Sequence, residues 1–187
     1  MGHRLSSDGM YPADEKDHSI KQFRNPETVE ELRSFLGLIN YLSKFIPNLS
    51  THTAPLRELL KKDVRFKWTR SHHDIAFEKL KKEVSDPKNL GYYSPLDETI
   101  VIADASPVGL GAVLLQQKDG KMRVICYISK GLSSAEKAYA QNEREALALV
   151  WAVKRLEQYL RGLNFMLVTD HEPLKVMFGE RKKLSKN

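Results

Sequence analysis

The sequence predicts an α/β protein. Three antiparallel strands, a crossover helix and a further parallel strand form a mixed sheet, and a small all-helical unit precedes it. Three observations predict this. Apolar residues recur at helical spacing through the first half of the chain, and from residue 99 the pattern changes to short strand-like runs. Two nearly all-apolar runs, Thr99–Asp104 and Phe165–Asp170, each end in aspartate. Between them lie two more strand-like runs joined by Asp119-Gly120 and one long amphipathic stretch.

Residues 1–25 are turn-rich, with Ser6-Ser7-Asp8-Gly9 and Tyr11-Pro12, and read as a strand pair or hairpin. Residues 26–90 read as helical. Thr28-Val29-Glu30-Glu31 has the form of a capping box, in which the Thr28 hydroxyl takes the Glu31 amide and Glu31 reaches back. Val29, Leu32, Leu36, Ile39 and Ile46 follow helical spacing, widened by Phe35, Leu42 and Phe45. A short helix is expected from about Pro55. A third is expected over about 71–85, with Ile75, Phe77, Leu80 and Val84 apolar and Asp86-Pro87 ending it.

Residues 91–98 read as a linker. Thr99–Asp104 has the apolar run of a strand buried on both faces. Gly109–Gln116 and Arg123–Ser129 follow, and Asp119-Gly120 between them is a strong hairpin signal. The glycines of Gly109-Leu110-Gly111 resemble a phosphate loop only weakly. They better suit a strand that bends or approaches a neighbour closely. Ser133-Ser134-Ala135-Glu136 is a second capping box, and Asn142-x-x-Glu145 opens a helix expected to run to Leu160 and to close at Gly162. Phe165–Asp170 completes a β-β-β-α-β order, whose crossover helix lets the last strand lie parallel to the first. The division is therefore 1–25, 26–90, 91–98 and 99–187.

The chain has 187 residues, 41% of them apolar, which is enough for a real core. Lys plus Arg is 30 and Asp plus Glu is 24, for a net charge of +6, a balance compatible with a nucleic-acid partner. No uncharged apolar run approaches the ~18–20 residues of a membrane helix, and no membrane partner is expected. The single cysteine, Cys126, excludes an intrachain disulfide and a multi-cysteine metal cage, and suits a reducing compartment.

The chemistry-bearing residues are acids. Asp104 and Asp170 stand at the carboxyl ends of two strands expected to run in parallel, the rim where α/β sheets bind ligands. Like charges brought together there repel unless a cation lies between them. Glu145, in the first turns of a helix apolar on one side (Leu149, Val150, Val153, Leu156), is the third candidate, and three carboxylates make an oxygen-only site suited to magnesium or manganese. Each acid has a structural alternative: Asp170 as a turn residue before His171-Glu172-Pro173, Glu145 as a capping partner of Asn142, and Asp104 in an Asx-turn before Ala-Ser-Pro. His171 has no second histidine at zinc-ligand spacing, His72-His73 is expected on a solvent face, and Arg181-Lys182-Lys183 reads as a solvated end.

At these residues the chain resembles the reverse transcriptase–ribonuclease H region of gypsy-type LTR retrotransposons. Residues 1–10 look like the palm's primer-grip hairpin. TVEELRSFLGLINYLSKFIP from Thr28 looks like the start of the thumb, continued by Ala54-Pro55-Leu56, Phe66-Lys67-Trp68 and AFEKLK from Ala76. DASPVGLGAVLLQ from Asp104, YISKGLSSAEKAYAQNEREALALVWAV from Tyr127 and YLRGLNFMLVTDHEPL from Tyr159 look like its ribonuclease H segment. The resemblance implies a ribonuclease H-like fold that cuts RNA in an RNA–DNA hybrid with two Mg2+ ions, or Mn2+, held by four carboxylates. Asp104 matches the first and Asp170 the third. Glu145 matches the second, with Glu143 its rival. The fourth acid of the family pattern is expected beyond Asn187, and the polymerase's paired aspartates before Met1. The chain thus reads as a fragment whose partners are a hybrid or primer–template duplex and the remainder of the polyprotein polymerase. The alternative function is a hybrid-binding fragment that does not cut.

Overall fold

The computed structural model describes residues 3–85 and 89–169. Two hydrophobic cores lie along the chain, the first spanning Ile20 to Leu90 and the second Val101 to Leu160. No helix among the described residues is long and apolar enough to cross a membrane.

Strands β1 (His3–Ser6) and β2 (Gly9–Pro12) form the expected hairpin. Met10 exchanges both backbone hydrogen bonds with Leu90, at 2.8 and 2.9 Å, tying the hairpin to the far end of the helical unit. A Cβ at Gly9 would overlap the Leu90 carbonyl, so only glycine permits that approach. Helix α1 (Asp14–Lys21) was not expected. Its one apolar residue, Ile20, is fully buried, but a single residue gives no periodic signal.

Helix α2 (Val29–Tyr41) starts as expected: Thr28 Oγ1 accepts from the Glu31 amide at 3.2 Å. Glu31 in turn accepts from the Glu27 amide at 2.7 Å. Leu32, Phe35, Leu36 and Ile39 form its buried stripe. The helix stops at Tyr41, so Phe45 and Ile46 are buried from a 3-10 turn over Ser43–Phe45 and the residue after it. Helix α3 (Leu49–Glu58) begins six residues before Pro55, with Asn48 at its start in the left-handed region (φ 48°). An interior proline costs about 3 kcal/mol, which burial of Leu49 and Leu56 offsets here. A π-helical turn, Arg70–Asp74, leads into α4 (Ile75–Ser85), which buries Ala76, Phe77, Leu80 and Val84. Ile75, expected in that stripe, is 66% exposed. His73 is not on an open solvent face: Nδ1 accepts from the Thr69 amide at 2.9 Å, and the ring lies 5.4 Å from that of Trp68.

Residues 91–97 are tied down, not a free connection. Gln116, fully buried, accepts from the Ser94 amide (2.9 Å) and donates to the Ser94 carbonyl (2.7 Å) and Thr99 Oγ1 (3.0 Å). Tyr93 donates to the Tyr159 carbonyl at 2.6 Å, and Asp97 pairs with Arg123.

The second unit is a four-stranded sheet in the order β5-β4-β3-β6, built from β3 (Glu98–Ala105), β4 (Gly109–Lys118), β5 (Lys121–Gly131) and β6 (Phe165–Val168). The first three are antiparallel, and β6 runs parallel to β3 with Thr99 beside Phe165 and Ile102 beside Val168. Asp119 (φ 51°) and Gly120 (φ 74°) both take positive φ, as a type I′ hairpin turn requires. Burial is less complete than the apolar runs imply, with Ile102 37%, Met166 52% and Leu167 41% exposed.

Helix α5 (Ser134–Lys137) is fixed by a reciprocal capping box between Ser133 and Glu136. Lys130 Nζ, 2.6 Å from Glu136, and then the Ser133 amide hold the Glu136 carboxyl down at about 2. A depressed folded-state value stabilises above the ordinary carboxylate range and is lost as pH falls toward 2. Carboxyl NMR should show Glu136 titrating near that value, and Lys130→Gln should move its midpoint upward. The stability at stake is about 1 kcal/mol, because the half-exposed Lys130 leaves the pair screened by solvent. An ordinary midpoint in the unmodified protein would contradict the pairing.

The long helix divides into α6 (Gln141–Arg155) and α7 (Glu157–Leu160), with Leu156 at the break, and Gly162 (φ 76°) follows. Ala148, Leu149, Ala152 and Leu156 face the sheet, while Val150 is 53% exposed.

Candidate functional site

The structure separates Glu145 from its rival. The N-cap of helix α6 is Ala140, two residues before Asn142. The third helical residue is therefore Glu143, which is exposed and accepts from the Ala140 amide at 2.8 Å. Glu145 is not the capping residue. It heads the buried stripe Glu145, Ala148, Leu149, Ala152 and is itself only 4% exposed. An acid at a core-facing position is costly unless it is engaged. Gln141 Nε2 donates to Glu145 Oε1 at 2.5 Å and lies 3.5 Å from the Ala105 carbonyl oxygen. Two contacts in series thus connect the Glu145 carboxylate to the backbone at the carboxyl end of β3, next to Asp104. Gln141 was not singled out from the sequence, although its four-residue spacing from Glu145 is that of a helical side-chain pair. Arg144 in turn donates to Gln141 Oε1 at 2.7 Å.

Asp104 is exposed. Side chains alternate along β3, so Thr99, Val101, Ala103 and Ala105 are buried while Asp104 stands on the opposite face with Ile102. There it lines a groove with Pro47, Asn48, Gly111 and Tyr127. Glu145 arrives from the face covered by α6. The two acids approach the carboxyl end of β3 from opposite faces of the sheet. No hydrogen bond or ion pair among the described residues engages the Asp104 carboxylate. Asp170 lies outside the described residues, as do His171 and Arg181-Lys182-Lys183. Strand β6 leads toward the same rim. Asp170 follows Val168 by two residues, as Asp104 follows Ile102, and Ile102 and Val168 are register partners. No group of three metal-ligating side chains occurs among the described residues.

The helical unit docks beside this rim. A Cβ at Gly111 would overlap Asn48 Oδ1, and one at Gly109 would overlap Ser50 Oγ, so both glycines serve close approach of α3 to the sheet. Thr51 Oγ1 and Ser106 Oγ are 2.9 Å apart, and the Ser50 amide donates to Ser129 Oγ at 3.1 Å.

Comparison with known proteins gives this arrangement a family. Residues 94–187 match the model of the RNase H-like domain found in reverse transcriptase. The Tf2-3 and Tf2-4 transposon polyproteins of Schizosaccharomyces pombe are each 37% identical over 177 residues, or 93% of this chain, which spans 13% of their length. Among solved structures, the foamy viral protease-reverse transcriptase dRH in complex with double-stranded DNA superposes with a TM-score of 0.79 at 24% identity. That match covers 99% of this chain and 33% of that one. The foamy viral protease-reverse transcriptase in complex with RNA/DNA hybrid gives 0.75 at 25% identity, over 99% and 26%. On these matches, the chain belongs to the reverse transcriptase–ribonuclease H family of gypsy-type LTR retrotransposon polyproteins.

Proposed function

We propose that this chain contributes metal-dependent, endonucleolytic cleavage of the RNA strand in RNA–DNA hybrids, with Asp104, Glu145 and Asp170 as the acids that hold the metal. The observation that carries this reading is the buried Glu145 carboxylate, linked through Gln141 to the end of the strand that bears Asp104. Asp104 and Glu145 offer oxygen donors only, a set that fits Mg2+ or Mn2+ and not zinc. When bound, such ions supply the charge that activates water and stabilises the leaving oxygen in an in-line displacement at phosphorus. The protein's own part is positional. Gln141 fixes the Glu145 carboxylate, the α6 stripe shields it from bulk water, and exposed Asp104 stays accessible to a substrate phosphate. Preference for hybrid over DNA duplex falls to contacts with the 2′-hydroxyls. The basic net charge and the duplex complexes formed by the foamy viral relatives support a duplex partner.

End-labelled hybrid incubated with the protein should lose its RNA strand and keep its DNA strand. Mg2+ or Mn2+ should be required, with Mn2+ the more forgiving of an incomplete oxygen shell, and chelation should abolish cutting. Cutting that survives chelation would overturn the metal reading. Binding without cutting in either metal would leave the hybrid-binding alternative.

A further inference from the structure

The seam between the two cores contains a cleft of about 370 Å³, walled by α3 on one side and by β5 and the end of α6 on the other. Arg57 and Arg155 both line it, with the hydroxyls of Ser43, Ser50, Thr53 and Ser129 between them. A second cleft of about 400 Å³ shares Ser43, Tyr127, Ile128 and Arg155 with the first and adds Lys44 and Lys154. Both lie in the size range of ligand sites, ~300–1,000 Å³.

The charge in this double cleft is one-sided. Among the described residues, carboxylates hold several other cations: Arg24 with Glu31, Lys61 with Glu58, Arg123 with Asp97 and Lys130 with Glu136. Lys44, Arg57, Lys154 and Arg155 have no carboxylate partner among the described residues. The one acid on the wall, Glu157, is held by Arg161 at 2.6 Å. Arg57 spends only Nε on a neighbour, Thr53 Oγ1 at 3.2 Å. Lys44 is half-buried, donates to Met10 Sδ at 2.9 Å and lies 5.3 Å from the centre of the Phe45 ring. Burial pushes its ammonium below the ordinary lysine range. Four cations border this hydroxyl-lined space, and two guanidinium forks with hydroxyl donors match phosphate oxygens.

We propose that the seam between the helical unit and the sheet is a phosphate-binding cleft, with Arg57 and Arg155 as its paired anchors and Lys44 and Lys154 extending it. The phosphate oxygens come either from a nucleic-acid backbone or from a free polyphosphate. The backbone is the favoured source and rests on the proposed nucleic-acid function. The cleft lies along the β5 edge and shares Tyr127 with the groove that Asp104 lines.

The test uses Arg57→Gln/Arg155→Gln, the charge-keeping Arg57→Lys/Arg155→Lys, and Lys118→Gln/Lys121→Gln at the exposed hairpin as control. Sodium tripolyphosphate at constant ionic strength should raise the melting temperature of the unmodified protein and of the control. It should leave the Gln pair unmoved and shift the Lys pair partway. An 18-base-pair RNA–DNA hybrid should bind the Gln pair about tenfold more weakly at low salt, with the slope of log K against log salt reduced by about 2. The control should keep the slope of the unmodified protein. Tripolyphosphate stabilisation that the Gln pair loses, in a protein that does not bind hybrid, would keep the cleft and remove the nucleic-acid occupant. A natively folded Gln pair with unchanged tripolyphosphate shift and unchanged hybrid slope overturns the proposal.

Discussion

Asp104→Asn should lower divalent-dependent cleavage of an RNA–DNA hybrid by at least about 100-fold, the usual scale for losing a charged group aimed at the reacting centre. The metal-free protein should melt no lower than the unmodified one. Both halves follow from the position of the side chain. It is exposed, at the carboxyl end of β3, and no hydrogen bond or ion pair among the described residues uses its carboxylate. The amide therefore breaks no hydrogen bond or ion pair among the described residues. Glu145→Gln should lose cleavage to a similar extent. It reaches the rim from the other face, so the two substitutions test independent approaches to one site. Glu143→Gln is the control that separates the rival acids. It weakens the bond to the Ala140 amide, at about 1 kcal/mol for a cap, and should leave cleavage intact. Rates in Mg2+ and Mn2+, beside apo melting curves, check all three. Unchanged cutting by Asp104→Asn, or lost cutting by Glu143→Gln, would show that the acids are misassigned.

Much of this site could be read from residues because its signals are local. The Asp-Gly turn, the Ser133 capping box and the parallel pairing of Thr99–Ile102 with Phe165–Val168 each follow from short stretches of chain and hold in the structure. Burial departs from the sequence pattern where tertiary context decides it. The apolar runs around Ile102 and Leu167 look buried on both faces, yet β6 ends the described sheet and leaves Met166 and Leu167 open. Helix α3 was placed too late because Pro55 looks like a start, whereas burial of Leu49 and Leu56 overrides it. Gln141 and Gln116 could not be ranked from sequence, since an amide's value depends on which backbone groups the fold brings to it. The glycines at 109 and 111 were given the right kind of role, close approach, but their partner, α3, is more than fifty residues away in the chain.

Phe35→Ala should cost the helical unit about 3–5 kcal/mol, the range for deleting a buried phenyl ring. Phe35 is fully buried, and its ring centre lies 4.4 Å from that of Phe77 and 5.3 Å from that of Phe23. Phe77 in turn meets Trp68 edge-on at 5.8 Å, so the deletion removes the middle of a four-ring chain as well as apolar area. A loss of that size is a large share of a domain's 5–15 kcal/mol. The contacts that join the helical unit to the sheet include hydroxyl hydrogen bonds, Thr51 to Ser106 and the Ser50 amide to Ser129, with Val124 the sheet residue packed on the first core. Such a polar interface transmits little of the loss. Urea unfolding followed by the emission of Trp68, in a Trp151→Phe background, should therefore show an early transition. Amide exchange in β3 and β4 should stay slow until higher denaturant. A loss under about 1 kcal/mol would mean that the ring cluster is not what holds the helices together. Simultaneous loss of exchange protection in β3 would mean that the two cores unfold as one cooperative unit.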